Sequence, residues 1–457
     1  MRPASYLGCF ASLATTAVSI WNNFDLHPVL APSYDKTELA NIVPSTHVSL
    51  DYGIDGLDVP ADPLSSVSIN LQAKQPTVLL ETIGALSSVS CTRNMMTISF
   101  HTADAFEHAT LAWPRDGNFY LITNHLGNCD AWSERGIYQV NGLSWDSDSM
   151  AVKAQTQKTS LANIAMSIGV DFAHAQDSTL DGNPGNITFD EPGLNVASNF
   201  TIPSGTVIFA KDPDFSTTSN GGYLSDAAVI RGHFDFNVPS QQIQSLWFNI
   251  DAAFFGNLAV TFNLTGPLDN SNFAFTPGTF LPSSINIPGI FSLEPALHWV
   301  IGADVGTTGP VLHNSNITVT IPDGHVHVDF LNNTNSRAVG WGPRLTSSVS
   351  TEKAASGHLS PYVNFSVELS LDVLNGLFKT AGGVSARPQF INEINIAKSQ
   401  SHIRKSNHML SLRNVTCNSG FELRSDFNFS VSAYVVDKWD IPLYNTLIPV
   451  ADECYHF

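Results

Sequence analysis

At 457 residues the chain is longer than one hydrophobic core usually serves, so two domains are expected. Charged residues make up only 13%, about half the usual share, and they are acidic in balance, with 40 Asp and Glu against 21 Lys and Arg. No basic run could track phosphates, which excludes nucleic acid as a partner, and no internal stretch approaches the ~20 apolar residues that span a bilayer.

The chain opens with Arg2 and the apolar stretch Leu7 to Ile20, with small residues at Ala17 and Ser19. Residues 1–19 therefore read as a signal peptide, and export to an oxidising compartment follows. Removal of Cys9 with that signal leaves Cys91, Cys129, Cys417 and Cys454. Four cysteines allow three pairings, and their clustering as one pair in each half favours Cys91 with Cys129 and Cys417 with Cys454.

Residues 20–172 are expected to form an N-terminal β-rich domain. Short strands are read around Val67 to Leu71, Thr97 to His101, Phe119 to Asn124, Ile137 to Val140 and Met150 to Ala154. One helix is expected from Asp104, with Glu107 as its capping partner. Phe106, Ala109 and Trp113 share its apolar face, and Pro114 ends it. Residues 173–222, rich in Asp, Asn, Gly and Pro, read as a connection that includes the turn-rich stretch 212–222.

Residues 223–457 form the expected second β-rich domain, in which apolar and polar residues alternate with the period of half-buried strands. Leu258, Val260, Phe262 and Leu264 make one such row, Phe365 to Val373 a second, and Phe427 to Ala433 a third. Two alternating runs flank Pro322-Asp323-Gly324 and read as a hairpin about that turn. The fold class expected is mainly β, as two antiparallel β-sandwich-like domains, the first with a short helix.

The glycosylation acceptor pattern occurs at Asn186, Asn199, Asn263, Asn316, Asn332, Asn364, Asn414 and Asn428. Asn263, Asn364 and Asn428 fall on the polar phase of the three alternating rows, where a bulky glycan can stand in solvent.

No local catalytic, phosphate-binding or dinucleotide signature is present, so no catalytic residue is assigned and no cofactor is expected. A glycosidase whose carboxylates come from distant positions would leave no such trace. No metal site is expected. The one row with ligand-like spacing is His325, His327 and Asp329; no further ligand is identifiable, although His298 and His313 are available, and the row reads better as a polar outer face. Trp132 and Trp145, near turn-like polar residues, are candidates for stacking on a sugar, although rings of this size more often pack in a core.

The order Phe100, Phe106-x-x-Ala109, Trp113-Pro114, Phe119 to His125, Cys129, Glu134-Arg135 and Tyr138-x-Val140 resembles the N-terminal domain of uncharacterised fungal secreted glycoproteins, in which a second β-rich domain of unknown function follows. The later half, from Ile287-Pro288-Gly289 through Trp341-x-Pro343 to Cys454, is similar in layout. The resemblance implies a secreted fungal protein of two β-rich domains and carries over no catalytic residue. Such relatives often carry additional cysteines near the start of the second domain, and this chain has none there. The expected function is that of a non-enzymatic extracellular glycoprotein that binds carbohydrate, such as a cell-wall polysaccharide or surface glycan, or another cell-surface component. A secreted hydrolase and a carrier of an apolar ligand are the alternatives, and oligomeric state stays open.

Overall fold

A computed structural model describes residues 24–30, 34–54, 67–124, 129–131, 134–172, 194–211, 213–276, 279–280, 284–396, 417 and 420–455. The signal segment 1–19, Asn186, Asn414 and Trp132 lie outside the described residues.

The N-terminal part contributes β1 (Phe24–Val29), β2 (Ser45–Ile54), β3 (Val67–Leu79), β4 (Leu86–Thr92), β5 (Met95–Phe100), α1 (Ala103–Ala112), β6 (Phe119–Thr123), β7 (Gly136–Asp146), β8 (Ala151–Thr159) and β9 (Ala165–Phe172). It is followed by β10 (Leu194–Ile202), β11 (Val207–Lys211), β12 (Phe215–Asn237), β13 (Gln242–Leu264), β14 (Leu268–Phe275), β15 (Thr279–Phe280), β16 (Ile285–Ile287), β17 (Phe291–Thr307) and β18 (Val311–Asp329). The chain closes with β19 (Arg337–Val339), β20 (Arg344–Lys353), β21 (Gly357–Val373), β22 (Phe378–Ile396), β23 (Phe421–Val435) and β24 (Trp439–Tyr455). The fold is mainly β, as the alternating segments predict, and α1 is its short N-terminal helix.

Two sheets of long strands face each other. In one, β12, β13, β18 and β20 pair antiparallel in that order. In the other, β17, β21, β22, β23 and β24 do the same. The free edge of β12 is lined end to end by β11, β10 and β9, and from β9 the first sheet continues through β3, β2 and β1. The backbone ladder thus runs unbroken from the N-terminal strands into the long ones.

Phe172 at the end of β9 shows why that join is tight. Its ring packs 5.5 Å from Phe248 and 6.2 Å from Phe291, so it sits between the two sheets. Beneath it, a Cβ on residue 232 would lie 2.3 Å from the Phe172 ring, so only glycine fits there. One continuous core links Leu50, Ile69 and Val170 to Phe248, Leu293, Leu369 and Phe427. A second, smaller core lies under α1 and holds Ile98, Trp113, Phe119 and Val152.

Several local expectations change in detail. Helix α1 begins one residue earlier than expected, with Thr102 at its N-cap and no side-chain capping bond, so the Asp104–Glu107 box does not form. Phe106, Ala109 and Trp113 are nonetheless buried as predicted. Of the expected connection 173–222, residues 194–202 and 207–211 are strands and Phe215 onward belongs to β12. Asn220-Gly221, which reads locally as a turn, is a β-bulge: Ser219 opposes Val260 and Gly221 opposes Ala259, with Gly221 at φ 118°.

The hairpin at Pro322-Asp323-Gly324 is likewise corrected. Strand β18 passes straight through it, with Gly324 opposite Ala252 and Ile321 opposite Phe254, so that Pro322 and Asp323 together face Ala253. Proline lacks the N–H a central ladder needs, and a bulge is where a sheet tolerates it. The outer neighbour of β18 is broken at the same place, into β19 beside His325 to His327 and β20 beside Leu312 to Thr320. Trp341 lies between those pieces, packs over Gly324 and donates its indole N–H to the His325 carbonyl at 3.1 Å.

Candidate functional site

Alternation decides which side chains leave the core. Phe234 and Phe236 on β12, Leu246, Phe248 and Ile250 on β13, and Val326 and Val328 on β18 are buried. Their neighbours His233 and Asp235, Trp247, Asn249 and Asp251, and His325, His327 and Asp329 therefore stand on the outer face of the first sheet. Register aligns them: His233 opposes Trp247, Asn249 opposes His327, and Asp251 opposes His325.

Trp247 is half-buried and lies between two imidazoles. The His233 ring is 5.8 Å from the indole, nearly parallel at 26°, and the His327 ring is 5.7 Å away on the other side. His233 presents Nδ1 to Asp171 at 2.6 Å and Nε2 to Asp235 at 3.0 Å. The hydrogen bond with Asp171, seconded by Asp235, outweighs partial burial and raises the His233 pKa to about 9, so this ring is an imidazolium at neutral pH. Burial, assisted by the positive charge of Arg337, moves His327 the opposite way and keeps it neutral. His327 Nδ1 meets Asn249 Oδ1 at 2.8 Å.

His325 and His327 do share a face, but they do not converge with Asp329 on a common point. His325 Nδ1 is 2.7 Å from Asp251 and its Nε2 is 2.9 Å from Asp323, while Asp251 also pairs with Arg231. Asp329 accepts the backbone N–H groups of Leu331 and Asn332 and the side-chain amide of Asn335. Although partial burial opposes it, these hydrogen bonds keep the Asp329 carboxyl ionised below the usual range. Among the described residues, no group of three or more His, Cys, Asp or Glu side chains is arranged to hold a metal ion.

The two disulfides join Cys91 to Cys129 and Cys417 to Cys454, the pairing favoured by their clustering. Trp145 is half-buried on the smaller core, 5.6 Å from Phe106 and 5.9 Å from Trp113, so part of its surface is committed to packing. The described acceptor asparagines all reach solvent: Asn199, Asn263, Asn316 and Asn332 are exposed, and Asn364 and Asn428 are half-buried. Asn364 and Asn428 lie on the second sheet. Asn263 sits at the far end of β13 from Trp247, ~50 Å along the strand. Of the described acceptors only Asn332 adjoins the His–Trp–His row.

The residues missed by sequence reasoning are Trp247, His233 and Asp171. A signal existed, because Trp247 occupies the polar phase between Leu246 and Phe248, where burial gives no reason for an indole. The partnership with His233 and His327 needed the strand register.

An apolar recess lies between the sheets, lined by Leu258, Ile317 and Val319 on one side and Pro361, Val363 and Phe390 on the other, with room of about 40 Å³. No helix among the described residues is long and apolar enough to cross a membrane. Residues 70–169 match the family described as Domain of unknown function (DUF7029), a span that runs from within β3 to within β9 and includes the Cys91–Cys129 bridge. Comparisons with curated proteins and with solved structures gave no match.

Proposed function

We propose that this chain is a secreted, N-glycosylated protein that binds carbohydrate, a cell-wall polysaccharide or surface glycan, on the outer face of its first sheet. The observation that carries the reading is the placement of Trp247 between His233 and His327 on that face, ringed by hydrogen-bonding side chains. A sugar presents apolar C–H surface and hydroxyls together, and aromatic surface beside amide, carboxylate and imidazole groups answers both. Two disulfides and eight acceptor asparagines support passage through the secretory route.

The alternatives find less support. Both ring nitrogens of His233 and of His325 face carboxylates, which leaves neither of those two rings positioned to take a proton from a serine or water as a hydrolase base must, and the neutral His327 is engaged by Asn249 and the Trp247 ring. The recess between the sheets, at about 40 Å³, falls far below the ~300 Å³ of ordinary ligand pockets and gives an apolar cargo little room.

The test is retention of the purified glycoprotein on insoluble wall polysaccharides and on a glycan array, beside Trp247→Ala with its fold checked by circular dichroism. Retention of the native protein and its loss in the variant are expected. Equal retention of both, or of neither, would overturn the reading.

A further inference from the structure

The His–Trp–His row is the middle of a longer line. Reading directly across the strands, Asp51 on β2 opposes Ser68 on β3, Ser68 opposes Asp171 on β9, Asp171 opposes His233, His233 opposes Trp247, and Trp247 opposes Asp329 on β18. Side-chain contacts follow that line: Ser68 donates to Asp51 at 2.6 Å, Asp171 meets His233 at 2.6 Å, and His233 stacks on Trp247. All six side chains are half-buried, so none is sealed in the core. At ~4.8 Å per strand the line spans ~24 Å, the length of about five sugar units in an extended chain.

We propose that this line is the track of an uncharged, extended β-linked polysaccharide, which lies across the strands from the Trp247 end to the Asp51 end. The inference rests on the carbohydrate reading and names its substrate class. A straight row of outward groups at a fixed pitch suits a ribbon-like chain whose hydroxyls recur at regular intervals along both margins. A coiled or branched glycan would meet the row at one point only. Asp51, Ser68 and Asp171 offer hydroxyl and carboxylate oxygens to sugar hydroxyls, and Trp247 with its flanking rings offers apolar surface. The carboxylates along and beside the line, Asp51, Asp171, Asp235, Asp251, Asp323 and Asp329, outnumber the cationic Arg231, Arg337 and His233. A polyuronate or sulfated glycan would therefore be repelled.

The track is assembled jointly, since Asp51, Ser68 and Asp171 come from the N-terminal strands while His233, Trp247 and Asp329 come from the long ones. Each part holds only a portion of the line, so affinity should depend on ligand length.

Titration calorimetry of the whole glycoprotein with cello- and chito-oligosaccharides of one to six units tests this. Affinity is expected to climb with each added unit to about five and then level. Asp51→Asn and Ser68→Ala, at the far end, should weaken the hexamer several-fold and leave the dimer unchanged, whereas Trp247→Ala should abolish both. Saturation at one or two units, an unchanged hexamer affinity in both far-end variants, or a preference for oligouronates would overturn the track while leaving a local sugar site at Trp247. Failure of every oligosaccharide and polysaccharide to bind would remove the carbohydrate reading and the track together.

Discussion

His233 Nδ1 on β12 stands 2.6 Å from Asp171 Oδ1 on β9, an ion pair across the seam where the N-terminal strands join the long first sheet. Because the folded pKa of His233 is raised to about 9, its stabilisation is fully present below the unfolded value near 6.5 and is lost as pH rises through about 9. After allowance for solvent screening, His233→Gln is expected to cost about 1–2 kcal/mol at about pH 6, and the difference should fade by about pH 10. Urea unfolding of both proteins across that range checks it, and a cost independent of pH would count against the pairing.

A second ion pair lies inside the N-terminal part. The Arg135 guanidinium donates to Glu81 at 2.7 Å, caps the carbonyls of Val29 and Asp51 at 3.1 and 2.9 Å, and stacks 4.5 Å over the Tyr52 ring. It therefore fastens the segments that hold β1 and β2. Arg135→Met leaves the Glu81 carboxylate buried without its partner and is expected to cost about 3–5 kcal/mol. The double variant with Glu81→Gln should recover part of that loss, which a double-mutant cycle by denaturant unfolding would measure.

The Cys417–Cys454 bridge closes a sequence separation of 37 and pins the end of the edge strand β24, which has no buried side chain along its length. The paired change Cys417→Ser with Cys454→Ser should lower stability by about 3–4 kcal/mol on the loop-entropy estimate. Hydrogen exchange should rise first in the last turns of β24, near Glu453 and Tyr455, before it spreads to β23. Uniform exchange across the second sheet would mean that the bridge does not act locally.

The recess between the sheets is small and apolar in its lining, which includes Val363. Val363→Ile adds one methyl group toward this apolar space and should raise stability by about 0.5–1 kcal/mol. A loss would show that the lining is tighter than its volume of about 40 Å³ implies.

The strands themselves were legible because a side chain's face in an extended segment depends only on its own position and that of its neighbours. Phe365 to Val373 and Phe427 to Ala433 are buried on the phase read from their alternation, and Asn263 stands on the opposite, exposed one. Proximity along the chain favoured the cysteine pairing that the structure holds without excluding the other two, and α1 was legible from its apolar spacing and Pro114.

Alternation of apolar and polar residues by itself determined that this protein is built of long half-buried strands, and which residues they turn outward. Tertiary structure alone decided that Asn220-Gly221 and Pro322-Asp323-Gly324 continue a strand as bulges instead of reversing it, since the same backbone freedom serves either outcome until a partner strand is in place. It also decided that Asp171, His233 and Trp247 stand side by side, because register between strands far apart in sequence is set by how their buried faces pack, and no local pattern encodes it.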